Sequence, residues 1–307
     1  MLIVAALGGN ALLQRGETPA AQIQRHHVVD AVAQLARVAR EHHLVVTHGN
    51  GPQVGLLAVE SANDPVLERP FPFDVLGAQT QGMIGYWLLQ AFTNALPERE
   101  AVALVTQTLV DARDPAFTHP TKFVGRVYEY EEAQRLARLH GWSVEPDGPL
   151  WRRVVASPDP CEVLESAIIA SLAAAGTIVI GAGGGGIPVV RDEDGQLRGV
   201  EAVVDKDLAS ALLAQTIAAD VLMLLTDVAG VFEGYGTPAA RLIPSATVAE
   251  LRAESFAAGS MGSKVEAVCR FVEATGRRAV IGSLDDVHGL LEGTSGTTVV
   301  ATGARGD

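Results

Sequence analysis

Only two cysteines, Cys161 and Cys269, occur in 307 residues. They are too few and too isolated for a disulfide framework or a metal site, which suits a reducing compartment. Positive charge is scarce too: 23 basic residues face 36 acidic ones, a formal net charge of −13. That balance excludes a nucleic-acid surface, which needs a basic stripe to displace counterions, and it obliges any anionic ligand to be held by a local cluster of cations. The N-terminus lacks a basic n-region and a cleavage pattern, so Leu2 to Leu7 reads as a buried strand and a cytoplasmic location is expected. One stretch, Ser166 to Val190, has no charged residue and is long enough to span a bilayer, but six glycines and Pro188 interrupt it. It reads instead as a helix ending at Ala175, a turn at Gly176, a strand from Thr177 to Ala182 and a glycine loop. The eight histidines show no metal spacing, since His26-His27 and His42-His43 are adjacent pairs at opposite ends of one helix. No G-x-S-x-G elbow occurs, and no Ser-His-Asp or Cys-His set can be assembled.

What is present is a chain with 48% hydrophobic residues, enough for one large domain or two lobes. Apolar, β-branched runs at Leu2 to Leu7, Leu44 to Thr47, Val102 to Thr106, Thr177 to Ile180 and Val221 to Thr226 alternate with helical patterns. That is the mark of an α/β fold with a mostly parallel sheet covered on both faces. Thr18-Pro19 is read as the start of a helix whose apolar positions recur up to about His43. The segment Asp111 to Pro160, with six prolines and much charge, looks like an inserted lid, with Glu129 to His140 as a short exposed helix. Asp74 to Leu96 has apolar faces through Val75, Leu76, Met83, Ile84, Trp87, Leu88 and Phe92. Either a dimer interface or burial within its own subunit would explain them.

Two lysines in loop-like settings carry the chemistry. One is Lys206, held between Asp205 and Asp207; the other is Lys264, after Gly259-Ser260-Met261-Gly262-Ser263. Together with Gly8-Gly9-Asn10 and Gly49-Asn50-Gly51 they suggest phosphoryl transfer, which asks for placed cations and close backbone amides more than for covalent catalysis. Bare amides approach a phosphate where Cβ is absent, and act best where a helix starts. Lys264 falls where Val265, Ala267, Val268 and Phe271 open a helical pattern, a position unfavourable to a cation unless an anion accompanies it. The spacing there is not that of a Walker loop. Gly181-Ala182-Gly183-Gly184-Gly185-Gly186 contains G-x-G-x-x-G after a strand, but Ile187-Pro188-Val189-Val190 follows as another strand where a dinucleotide fold needs a helix. It is expected to be a flexible ligand loop.

Collinear blocks extend these motifs along the chain. They are Ala6-Leu7-Gly8-Gly9-Asn10-Ala11, Thr47-His48-Gly49-Asn50-Gly51-Pro52-Gln53-Val54-Gly55, Gly77 to Tyr86, Pro120-Thr121-Lys122, Trp151-Arg152-Arg153-Val154-Val155 and Gly199 to Asp207. In them the chain resembles the carbamate kinases of the amino acid kinase superfamily. It departs from that pattern from Phe123 to Tyr128 and at Ser263.

The resemblance implies a three-layer αβα sandwich with an open, mainly parallel eight-stranded sheet and a protruding lid. It implies an acceptor lobe over about 1–215, with the lid at about 118–160, and a nucleotide lobe over about 216–307. It further implies a homodimer that uses ATP with Mg2+, the metal being held through the nucleotide phosphates rather than by protein ligands. Such enzymes join carbamate and ATP to carbamoyl phosphate and ADP, and in arginine catabolism usually run towards ATP. By the same resemblance Gly8, Gly9 and Asn10 hold the transferring phosphoryl, and Gly49, Asn50 and Gly51 the carbamate. Lys206 and Lys264 neutralise the transition state, Asp207 organises them, and Lys122 reaches in from the lid. Thr226, Asp227, Val228 and Met261 wrap the nucleotide, with Gly183 and Gly184 beside it. A kinase for another small acid, or a catalytically quiet protein on the same scaffold, are the competing readings.

Overall fold

Strands form where the sequence runs apolar and β-branched, and helices where apolar residues recur every three or four positions. β1 (Leu2–Leu7) leads to α1 (Ala21–Glu41), β2 (His43–His48), α2 (Gly51–Asn63) and α3 (Phe73–Ala95). After β3 (Ala101–Ala103) and β4 (Gln107–Val110) come the lid elements β5 (Lys122–Tyr128), α4 (Tyr130–His140), β6 (Ser143–Asp147) and β7 (Leu150–Val155). The chain returns through β8 (Pro160–Val163), α5 (Ser166–Ala174), β9 (Ile178–Ile180), β10 (Ile187–Arg191) and β11 (Leu197–Gly199) to α6 (Lys206–Thr216) and β12 (Val221–Thr226). A hairpin of β13 (Phe232–Glu233) and β14 (Arg241–Leu242) precedes β15 (Ser245–Thr247), α7 (Val248–Ala253), α8 (Ser260–Thr275), β16 (Ala279–Ser283), α9 (Val287–Glu292) and β17 (Thr297–Val300). The structure, a computed structural model, describes residues 1–14, 16–254, 256 and 260–301.

Among these residues eight strands make one sheet in the order β15-β17-β16-β12-β1-β2-β9-β3, parallel except where β16 meets β17. The period-two alternation of β1 divides the core. Ile3, Ala5 and Leu7 pack with Leu35, Leu88, Phe92 and Leu290 from α1, α3 and α9, whereas Val4 and Ala6 pack on the other face with Ile169, Leu213 and Phe271 from α5, α6 and α8. This is the expected αβα sandwich. A second sheet, β11-β10-β4-β8, takes β4 from before the lid segment and β8, β10 and β11 from after it, and the lid is an antiparallel sheet β5-β7-β6 with α4 packed on β6 and β7. No helix among the described residues is long and apolar enough to cross a membrane.

Several boundaries differ from the sequence reading, each for a local reason. α1 begins at Ala21, with Ala20 and not Thr18 in the cap position, and Gln24 Nε2 donates to the Pro19 carbonyl at 2.9 Å. The strand expected to run to Thr106 stops at Ala103, because the Gln81 side chain takes over the pairing. Its Oε1 accepts from Thr106 N at 2.8 Å and its Nε2 donates to Thr106 O at 3.1 Å. β9 ends at Ile180, since Ala182 turns into the left-handed region at φ 48°. The proline-rich segment is not all lid: β8 at its end pairs with β4 in the second sheet. On α3, Leu76, Ile84, Leu88 and Phe92 are buried within the single chain, while Tyr86 is half exposed.

Leu88 is fully buried in the α1–α3 face of the core. Leu88→Ala should lower unfolding free energy by about 3 kcal/mol, read from urea denaturation, because the tight packing cannot collapse into the space left. A loss below about 1 kcal/mol would contradict the assigned packing.

Candidate active site

Parallel strands deliver their C-terminal ends to one edge of the sheet, and ligands of open α/β sheets bind there. β1 ends at Gly8-Gly9, β2 at Gly49-Asn50, β9 at the Gly181–186 turn and β12 at Thr226. The first two turns touch, since a Cβ on Gly49 would lie 2.8 Å from Gly9 N, and Gly8 lies against the end of β12, where a Cβ would be 3.1 Å from Leu225 O. Only hydrogen at these positions lets these backbones meet. Gly51 opens α2 with Pro52 behind it and nothing within 4 Å of its missing side chain, which leaves the amides of that helix start accessible.

Beside these turns three lysines converge on two aspartates two residues apart. Lys206 Nζ lies 2.5 Å from Asp207 Oδ1, Lys264 Nζ 3.0 Å from Asp207 Oδ2, and Lys122 Nζ of the lid 3.2 Å from Asp205 Oδ2. Lys264 and Asp207 are about 95% buried and Lys206 nearly so. Asp205 resolves which carboxylate starts α6: its Oδ1 accepts from Asp207 N and Leu208 N at 2.9 and 3.3 Å. Ser210, one turn along, donates to Lys206 O at 2.7 Å and so accepts from Thr47 Oγ1 at 2.6 Å, which ties α6 to β2. Lys264 sits one turn inside α8, and the anion that its position required is Asp207.

The electrostatics are unequal. Burial works against the charge of Asp207, but Lys206 and Lys264 outweigh it and hold the carboxyl below its usual range. Lys206 is pushed below the usual lysine range, first by desolvation and then by Lys264, with Asp207 opposing. Three lysines gathered on Asp205 and Asp207 leave cations in excess among these five side chains, in a largely desolvated place. That is a site for an anion.

A polar frame behind the Gly49-Asn50 turn escaped the sequence reading. His48 is buried, its Nδ1–H donates to Gly49 O at 3.0 Å, and desolvation above all, with Lys206, lowers its pKa to about 4. Asn50 Nδ2 donates to Thr80 Oγ1 at 2.9 Å, and Gln81 Nε2 to Gly183 O at 3.0 Å. Thr106 Oγ1 accepts from Ala182 N, and Thr108 Oγ1 donates to Gly185 O at 2.7 Å. One signal was available: Thr80 and Gln81 interrupt the apolar face of α3 between Leu76 and Ile84, where only hydrogen-bonded polar groups are tolerated.

The glycine turn belongs to this frame. Gly183 to Gly186 are buried, and side chains at the four positions would enter His48, Asn50, the Val204 carbonyl and Thr108 respectively. A flexible loop beside the nucleotide is expected from the sequence; the structure has a filled turn packed against His48 and Asn50. β9, which carries it, lies three strand positions from β12, roughly 14 Å across the sheet. Gly183 and Gly184 are thus brought to Asn50, while Thr226, Asp227 and Val228 stand at the end of β12. There Asn10 Nδ2 donates to Asp227 Oδ2 at 2.8 Å. Met261, on the first turn of α8, packs against the core face that contains Val265 and Phe271. Gly259, expected in the same loop, lies outside the described residues. Among the described residues no three His, Cys, Asp or Glu side chains gather as a metal site.

A family model described as the amino acid kinase family matches residues 1–283. The chain belongs to the amino acid kinase family. It is 51% identical over 303 residues to a carbamate kinase of Rhizobium meliloti, covering 97% of this chain and 93% of that one. A carbamate kinase of Thermococcus kodakarensis is 48% identical, with 97% and 98% covered. The solved structure of a carbamate kinase from Giardia lamblia bound to AMP-PNP superposes with a TM-score of 0.91 at 40% identity, covering 98% of each chain.

The neutral His48 gives this site a pH signature. Its folded pKa, about 4, lies below the 6.5 of the free side chain. The stability that this contributes is whole above pH 6.5 and is lost as pH falls towards 4, on the order of 3 kcal/mol in all. Urea denaturation of the parent and of His48→Gln at pH 7.5 and 4.5 should show a shallower acid decline in the variant. Parallel declines would contradict a buried neutral imidazole.

Proposed function

We propose that this protein is a carbamate kinase, moving a phosphoryl group reversibly between ATP and carbamate to give carbamoyl phosphate and ADP. The observation that carries the reading is the meeting of Lys122, Lys206 and Lys264 on Asp205 and Asp207, beside the amides of Gly8-Gly9 and Gly49-Asn50-Gly51. The carbamate kinases matched over nearly the whole chain support the choice of acceptor. In the ATP-forming direction an oxygen of the ADP β-phosphate attacks the phosphorus of carbamoyl phosphate. The bond from phosphorus to the carbamoyl oxygen breaks, and carbamate departs with that electron pair. No proton need move, because the leaving group is stable as an anion, so the protein has to supply position and charge rather than a general base.

In this reading Gly8, Gly9 and Asn10 cradle the moving phosphoryl, and Gly49, Asn50 and Gly51 hold the planar carbamate against the frame of Thr80, Gln81 and Gly183. Lys206 and Lys264 face the equatorial oxygens and take up the charge that Asp207 leaves uncompensated. Lys122 exchanges Asp205 for the phosphoryl as the lid closes. Thr226, Asp227, Val228 and Met261 line the nucleotide on the other side. Mg2+ would be carried on the nucleotide phosphates: both oxygens of Asp207 and one of Asp205 are engaged by lysines and the other oxygen of Asp205 by the first amides of α6, so phosphates and water would be its main donors. Its contribution there is to offset phosphate charge. The acceptor lobe spans about 1–215 and the nucleotide lobe about 216–307. A homodimer, a cytoplasmic setting and the ATP-forming direction in arginine catabolism complete the proposal; the half-exposed Tyr86 on α3 supports the first and the two isolated cysteines the second.

Purified protein given ADP, Mg2+ and carbamoyl phosphate should form ATP, detected by coupled luminescence, and a silent protein would reject the acceptor. Lys206→Ala should lower kcat by roughly two to three orders of magnitude with an unchanged melting temperature, because a placed charge is lost from a water-poor site. A loss of only a few-fold would remove Lys206 from the mechanism.

A further inference from the structure

The lid is rooted on the segment that leads into the lysine cluster. β5 and β7 pair so that Lys122 stands opposite Val155 and Val124 opposite Arg153. The residue after β7, Ala156, bridges Ala202, and Val203 N donates to Ala156 O at 2.9 Å. Glu201 lies beside this junction with a different partner on each carboxylate oxygen. Oε2 accepts from Phe73 N, the first residue of α3, at 2.8 Å, and Oε1 accepts from Arg153 Nη2. Arg153 is 8% exposed and stacks between Phe73 and Trp142, with its guanidinium 4.8 and 4.4 Å from the two ring centres. A cleft of about 460 Å³ adjoins the pair, between the α2–α3 connection at Arg69 to Pro72 and the lid at Leu139 to Trp142.

The two ties between lid and body differ in kind. Lys122 and Asp205 form a partly exposed pair between a flexible ammonium and a carboxylate, which is weak and readily exchanged. Arg153 is buried between two rings and donates to a carboxylate that, although exposed, is also held by a helix start, so several contacts must break together to move it. The cleft leaves room for the lid to tilt about this point. We propose that Glu201 is a positioning residue for phosphoryl transfer: by joining the α3 start to Arg153 it fixes the lid root in the register from which Lys122 reaches the reaction centre.

This inference rests on the role given to Lys122 above, and the test separates the two. ATP formation is measured for the full chain, for Glu201→Gln, for Lys122→Ala and for the double variant. Glutamine keeps an oxygen for Phe73 N and removes the charge that holds Arg153. Glu201→Gln should lower kcat roughly tenfold while the KM for ADP stays within about twofold, because the lid lysine is misplaced but the nucleotide face is untouched. In the Lys122→Ala background the same change should alter kcat by less than about twofold. Arg153→Lys, which keeps the charge but loses the fork and the stack, should give a smaller loss of the same kind, and it replaces Glu201→Gln if that variant fails to fold. Equal losses in both backgrounds would mean a merely structural carboxylate and overturn the proposal, as would an unchanged kcat. If Lys122→Ala alone leaves kcat intact, the role of Lys122 falls and the positioning role with it. If Lys122→Ala lowers kcat and Glu201→Gln does not, only the positioning role falls.

Discussion

One buried carboxylate shared by two ammonium groups governs the architecture of this site. Asp207 cannot satisfy Lys206 and Lys264 equally in charge, and the surplus is confined where water cannot spread it. Such an arrangement is costly in an empty protein and becomes favourable when a phosphate arrives. A chain with a formal net charge of −13 therefore concentrates attraction for anions in one place. Much of the surrounding structure keeps those three side chains from relaxing apart: the Asp205 cap fixes where α6 begins, Thr47 and Ser210 bind that helix to β2, and the helix pair α6 and α8 sets the approach of Lys264.

Close backbone approach is the second constraint. β1 and β2 end in glycines whose main chains touch, and a third glycine turn, after β9, is packed beneath Asn50 and His48. Gly184 shows why no larger residue fits: φ is +62° and the space for a side chain is already filled by the Asn50 amide. The turn does not bend to meet a ligand. It supports the residue that would meet one, and Gln81 and Thr106 hold it from behind.

How much of this was legible in the sequence follows from range. Continuous runs such as Leu2–Leu7 and Val221–Thr226 declared their strands, because burial on both faces leaves no alternation to misread. The lysines and the glycine pairs were legible as chemistry only in combination, since Asp205-Lys206-Asp207 taken alone also reads as a charged turn that caps a helix, and Asp205 does cap α6. Features that depend on partners far away in sequence were not. Gln81 ends a strand 25 residues later, and only the folded chain puts that amide beside Thr106. The G-x-G-x-x-G spacing was correctly separated from dinucleotide binding by the strand that follows, yet its side of the sheet could not be read without the strand order.

Asp205 divides its labour between its two oxygens. One is committed to the first amides of α6, and among the described residues the other accepts a hydrogen bond from the lid lysine. Withdrawal of that lysine would take no hydrogen bond from the helix start on which Lys206 and Asp207 are mounted. Gate and foundation are mechanically insulated from one another by the width of a single carboxyl group.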